Sequence, residues 1–186
     1  SSIYRKELLE RLLLGFKVVK PDMEEIRIES ETAYDTASRL SEEKAKKVSS
    51  QFKEAIVIGC DQTAQFNNIQ IQKPLDYKTA LMQLKELSGK RVYFHSGICV
   101  YYDKGNIFQK KVISFDVKYK NLSLIEIESY LKKEKPFNCI GSIKSEGLGI
   151  SLLEEINSND PTAIVGLPLI TLVEMLKEVG VNINGK

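Results

Sequence analysis

The chain has 186 residues, of which 42% are hydrophobic and 28% charged, with 27 basic side chains against 25 acidic ones. That length supports one well-buried core, organised as a single domain over residues 1–186 or as two closely joined lobes. The near-cancelling charge excludes the broad positive field of a nonspecific nucleic-acid binder, and no segment has the roughly 20 apolar residues of a membrane span or the pattern of a signal peptide, so a cytoplasmic protein is expected.

In chain order, Arg5 to Leu14 is a helix with Leu8, Leu9, Leu12 and Leu13 on one side, stopped by Gly15. Thr32-Ala-Tyr-Asp35 resembles a capping box and opens a helix through Lys47. Ala55 to Thr63 reads as a short strand, apolar up to Gly59, that ends there and delivers Asp61 to its mouth. Open α/β sheets bind ligands at that end, although an aspartate there also fits as a turn cap, and the segment alone leaves both readings open.

Asp76 to Leu87 is a further helix, ended by Ser88-Gly89. Arg91–Tyr102 and Lys111–Lys120 read as two long strands joined around Asp103–Asn106, a turn-forming cluster that favours an antiparallel ribbon. Ser123-Leu-Ile-Glu126 is another capping box, for a helix through Lys133. Pro168 begins a last helix with Leu169, Leu172, Val173 and Leu176 as its apolar stripe, and Gly180 ends it. The fold class is α/β, with a mixed twisted sheet built around a long antiparallel ribbon.

Cys60, Cys99 and Cys139 are scattered among apolar neighbours and read as reduced core residues. With no CxxC pair and His95 as the single histidine, a structural zinc site is excluded. His95 lies within the strand-like run Val92–Val100 and reads as structural.

Three polar elements stand outside the scaffold pattern. Ser1 to Lys6 places hydroxyls and cations at the start of the first helix, where free amides receive phosphate, although a serine there is also an ordinary cap. Lys73-Pro74 presents a lysine that solvent alone would explain. Gly141 to Gly149 sets Lys144 and Glu146 in a glycine-rich loop, otherwise a mobile turn.

These pieces resemble the Maf family of nucleotide pyrophosphatases, in the branch associated with 7-methyl-GTP. The matching stretches run in family order: Ser2–Leu9, Glu24-Glu25, Arg39–Ala45, Ile58–Gln62, Lys73-Pro74, Gly141–Gly149 and Val165–Leu169. The resemblance implies an inosine-triphosphatase-like (Maf) fold with two lobes around a central cleft, and a divalent metal cation, magnesium or manganese. It also implies a small-molecule nucleotide cleaved to a monophosphate and pyrophosphate. Asp61 falls on the catalytic aspartate. Ser2, Arg5, Lys44 and Lys73 fall on phosphate-binding positions, and Glu25 and Asp61 on candidate metal ligands. Tyr4, Gln62 and Glu146 fall on positions that separate substrate branches; Gln62 and Glu146 agree with the 7-methyl-GTP branch.

Ile3 replaces the usual proline and Tyr4 the common tryptophan, and the sequence starts inside the first motif, without the strand and serine that precede it in the family. Alternative readings are house-cleaning of other noncanonical triphosphates and nucleotide-dependent regulation of septum formation. A homodimer through apolar positions near the ribbon is a further expectation.

Overall fold

The computed structural model describes residues 2–26, 28–102, 105 and 107–185. Ser1 and all but Gly105 of the Asp103–Asn106 cluster lie outside those residues, so the expected turn is not described. The helices are α1 (Ile3–Glu10), α2 (Ala33–Ser49), α3 (Tyr77–Leu87), α4 (Leu124–Glu134) and α5 (Leu169–Glu178). The strands are β1 (Val57–Phe66), β2 (Ile69–Ile71), β3 (Arg91–Tyr102), β4 (Ile107–Tyr119) and β5 (Leu153–Asn157), hydrogen-bonded in the order β2-β1-β3-β4-β5. β2 pairs antiparallel with β1, and β5 with β4. β3 and β4 are neighbours separated by only residues 103–106, far too few for a crossover, so they form the expected antiparallel ribbon.

The helix starts follow from their caps. Thr32 Oγ1 accepts a hydrogen bond from the Asp35 amide at 3.1 Å, and Asp76 Oδ1 from the Thr79 amide at 2.8 Å. Ser123 and Glu126 close a full capping box. Each cap satisfies an amide that the first helical turn leaves without a partner.

Three sequence readings are corrected. β1 does not end at Gly59 but continues to Phe66, so Asp61 lies inside a ten-residue strand and is no turn cap. The pairing of Ala64, Gln65 and Phe66 with β2 carries the strand onward through its polar residues. α1 spans Ile3–Glu10 instead of Arg5–Leu14, because the backbone turns off before Leu13, which adopts a left-handed φ of 55°. β4 begins at Ile107, before Lys111; β5 covers Leu153–Asn157, where the sequence assigns no element.

The chain divides into two compact units. The first comprises residues 1–62, 95–113 and 160–186, and the second residues 63–94 and 114–159. The core of the first unit gathers Leu8 of α1, Ile98 and Val100 of β3, and Leu172, Met175 and Leu176 of α5. α2 lies directly on the strands: a Cβ on Gly59 would overlap the Ser41 carbonyl, and one on Gly97 the Ala37 carbonyl. Only glycine allows that approach. In the second unit α3 packs on α4, Phe94 stacks on Phe115 at 5.4 Å between ring centres, and the buried Tyr119 hydroxyl donates to the Gly141 carbonyl at 3.0 Å.

Candidate active site

In the first unit, α2 and β1 bring a lysine and an aspartate together. Asp61 is only 6% exposed, and Lys44 donates to its Oδ1 at 2.5 Å. The same ammonium meets Glu25 Oε1 at 2.7 Å, so one cation joins two carboxylates from separate parts of the sequence. Burial pushes the Asp61 carboxyl above its ordinary 3.8; Lys44 opposes the rise through its charge and hydrogen bond, as does Arg5, while Glu25 adds to it. An acid tuned upward in this way is a better proton acceptor near neutrality than a solvated aspartate.

Arg5 reaches β1 from α1, donating to the Cys60 carbonyl at 2.6 Å. Its guanidinium also lies against Gly166, where an added Cβ would come within 3.0 Å of Nε. A cavity of about 680 Å³ is lined by Ser2, Arg5, Glu25 and Lys44 together with apolar residues such as Ile58 and Leu167. Lys6, Lys17 and Lys20 also line it. Lys6 belongs to the Ser1–Lys6 element already singled out in the sequence, whereas Lys17 and Lys20 carried no local signal there. Ser2 caps α1 without a side-chain hydrogen bond to the helix, and Tyr4 on the same helix is half-buried.

Gln62 is held inside the first unit. Its amide nitrogen lies 3.2 Å from Ser96 Oγ, 3.0 Å from the Ala163 carbonyl and 3.1 Å from the Ile164 carbonyl. Ser96, fully buried, donates in turn to Ala163 at 2.8 Å. His95 is 8% exposed and packs edge-on to Tyr34 at 5.8 Å; burial pushes its pKa down and favours the neutral ring, which suits a structural residue. The three cysteines are free, and burial above all raises their thiols, to about 11 for Cys60 and Cys139 and about 12 for Cys99. Thiols held that high are poor nucleophiles at neutral pH.

Lys73 and Glu146 belong to the second unit, and both are exposed. Both charges act on the Cys139 thiol, which Glu146 raises and Lys73 lowers, and Glu146 also raises the Tyr130 hydroxyl. The Gly141–Gly149 loop is not a mobile turn: it enters through a 3-10 turn at Ile140–Ser142, leaves through another at Leu148–Leu152, and is bonded to Tyr119, Tyr130, Glu134 and Gln83.

Arg39 is a further residue that sequence reasoning did not single out. Its Nε and Nη2 fork onto Glu31 at 2.6 and 2.7 Å, Nη1 meets Glu43 at 3.2 Å, and Nη2 also holds the Ile26 carbonyl at 3.0 Å. That network ties the segment next to Glu25 to the helix bearing Lys44. The signal was present as an arginine near the start of the Arg39–Ala45 match, but nothing local named Glu31 as its partner.

Among the described residues no group of three or more histidine, cysteine, aspartate or glutamate side chains converges as a metal cage. Glu25 and Asp61 nevertheless converge on the Lys44 ammonium, and hard oxygen donors of this kind are chemically suited to magnesium or manganese.

Comparison with known proteins adds the rest. Residues 1–179 match the family model described as Maf-like protein. A 7-methyl-GTP pyrophosphatase of Methylobacillus flagellatus is 45% identical over 183 residues, covering 98% of this chain and 95% of that protein. Proteins of the same name from Nitrosospira multiformis and Burkholderia pseudomallei are 44% and 45% identical, covering 98% and 97% of this chain and 92% and 85% of their own lengths.

Proposed function

Because the chain belongs to the Maf family, we propose that it is a nucleoside triphosphate pyrophosphatase that hydrolyses 7-methyl-GTP to 7-methyl-GMP and pyrophosphate. The observation that carries this reading is the near-full-length similarity to proteins named for that activity. The Asp61–Lys44 pair in the first unit gives it a chemical basis.

In this reading Asp61 accepts the proton of the attacking water, and its raised pKa suits that task. Lys44 keeps the buried carboxylate ionised and correctly turned, and Arg5 and Lys73 neutralise phosphate oxygens, with Ser2 adding a hydroxyl donor. The chemistry is mostly positioning and charge stabilisation. Glu25 and Asp61 would hold a divalent ion brought with the triphosphate, which would offset charge on the departing pyrophosphate.

N7 methylation makes the guanine ring cationic. Glu146 is the acid that pairs with it, and Tyr4 offers an aromatic face contributing roughly 0.5 to 2 kcal/mol. Gln62 takes part in selection through its anchored position on β1.

The test is an assay with purified protein, magnesium or manganese, and either 7-methyl-GTP or GTP, reading pyrophosphate separately from orthophosphate. Release of pyrophosphate with preference for the methylated nucleotide supports the proposal. Equal rates remove the selectivity, and release of orthophosphate removes the reaction.

A further inference from the structure

Glu146 occupies the tip of a tight excursion between Lys144 and Leu148, and both flanks of that excursion end on one side chain. Glu134, the last residue of α4, accepts from Lys144 Nζ through Oε1 at 2.6 Å and from the Leu148 amide through Oε2 at 2.7 Å. The residue two before Glu146 and the residue two after it are thus bound to opposite oxygens of a single carboxylate.

The loop is shaped around this grip. A Cβ on Gly147 would come within 2.6 Å of Glu134 Oε2, so glycine here lets the carboxylate keep its place without swinging aside. The Lys144 carbonyl accepts from the Gly147 and Gly149 amides at 3.1 and 3.0 Å, and its amide donates to the Tyr130 hydroxyl at 3.0 Å. α4 gives Glu134 a firm base through its capping box and its packing on α3. The hydrogen bond from Lys144 comes first among the influences that hold the Glu134 carboxyl below the usual glutamate range, so it stays ionised at neutral pH. Glu146 itself is exposed and, among the described residues, takes only a long hydrogen bond, 3.3 Å, from the Ser145 hydroxyl. Its placement is therefore inherited from the backbone on either side.

We propose that Glu134 is a positioning residue for base selection: by gripping the chain on both sides of Glu146, it fixes where that acid stands. The inference rests on the reading of Glu146 as the partner of a methylated guanine. Glu134 itself touches no substrate. Its removal lets the tip of the loop move, and a displacement of about 1 Å is enough to weaken a charge-assisted contact.

The experiment compares kcat/KM for 7-methyl-GTP and for GTP in the wild-type protein and in Glu134→Gln, Glu134→Asp and Glu146→Gln. Glu134→Gln loses the charge that holds Lys144, and Glu134→Asp is too short to reach both donors; if one fails to fold, the other serves. The preference for the methylated nucleotide is expected to fall by about tenfold in either variant, with kcat/KM for GTP changed by less than about threefold. Combining Glu134→Gln with Glu146→Gln should remove no more preference than Glu146→Gln alone. Preference retained in both Glu134 variants, beside a wild-type protein that discriminates, overturns the inference alone. An equal loss on both nucleotides also overturns it, since that marks a merely structural residue. A wild-type protein indifferent to methylation overturns the substrate reading and this inference together.

Discussion

The Lys44 ammonium stands 2.5 Å from the Asp61 carboxylate across 17 residues of sequence, and both side chains are almost closed to solvent. Burial drives Asp61 toward its neutral form and Lys44 drives it back. A carboxyl held between those two pressures binds its proton more tightly than a solvated aspartate does.

Asp61→Asn should abolish turnover while leaving the fold intact. The folded state raises the Asp61 pKa above its ordinary 3.8, so it binds the proton more tightly than the unfolded chain does. The carboxyl's contribution is most favourable below the unfolded value and is lost as pH rises through the folded one. Asparagine removes this penalty, so the variant's melting temperature should exceed wild type at pH 7, with the difference shrinking toward pH 3. Thermal unfolding across that range checks it; a gain that persists at low pH contradicts the linkage.

Lys44→Gln should be more damaging to rate than to stability. Without the ammonium, Asp61 keeps its burial and loses the largest influence opposing the rise of its pKa. The acidic limb of kcat/KM should move to higher pH, and kcat should fall by about 10² to 10³, the scale seen when one preorganised charge or donor is removed. A pH–rate profile with an unmoved acidic limb would separate Lys44 from Asp61.

Arg39→Lys should destabilise the protein by about 1.5 to 3 kcal/mol, because a point ammonium cannot reproduce the fork onto Glu31 and the hold on Ile26 together. Its hydrogen bond is the largest cause of the lowered Glu31 pKa. That stabilisation is present above the ordinary value of 4.5 and is lost as pH falls through the folded value. Urea unfolding of the two proteins should therefore differ at pH 7 and converge in acid.

Gly59→Ala tests how closely α2 lies on the strand that carries Asp61. The new methyl would meet the Ala45 amide at 2.7 Å and overlap the Ser41 carbonyl, both backbone groups that cannot swing aside. A loss of about 3 kcal/mol or more is expected, at the upper end of overpacking costs, together with reduced activity as β1 and α2 separate. A variant that melts and turns over like wild type would show that the helix has room to move.

Much of the scaffold was legible because its signals are local. Thr32, Asp76 and Ser123 announce helix starts through their own neighbours, and the alternation of Ile113, Phe115, Val117 and Tyr119 marks a half-buried strand whatever surrounds it. The motifs around Asp61 and Glu146 stood out only through their resemblance to the Maf family, with the matching stretches in family order along the chain. What the sequence by itself determined is therefore the inventory: which segments are helical or extended, and which acids and cations the chain carries.

The tertiary structure decided the partners. The last three residues of β1, Ala64 to Phe66, are held by pairing with β2, a contact absent from the local pattern. The pairing of Lys44 with both Asp61 and Glu25, the fork of Arg39 on Glu31 and the grip of Glu134 on both flanks of Glu146 join residues from 8 to 19 positions apart, a reach set by how helices pack and loops return. A charge in a sequence has no burial and no neighbour until the chain folds, and those two quantities set its pKa and its chemistry.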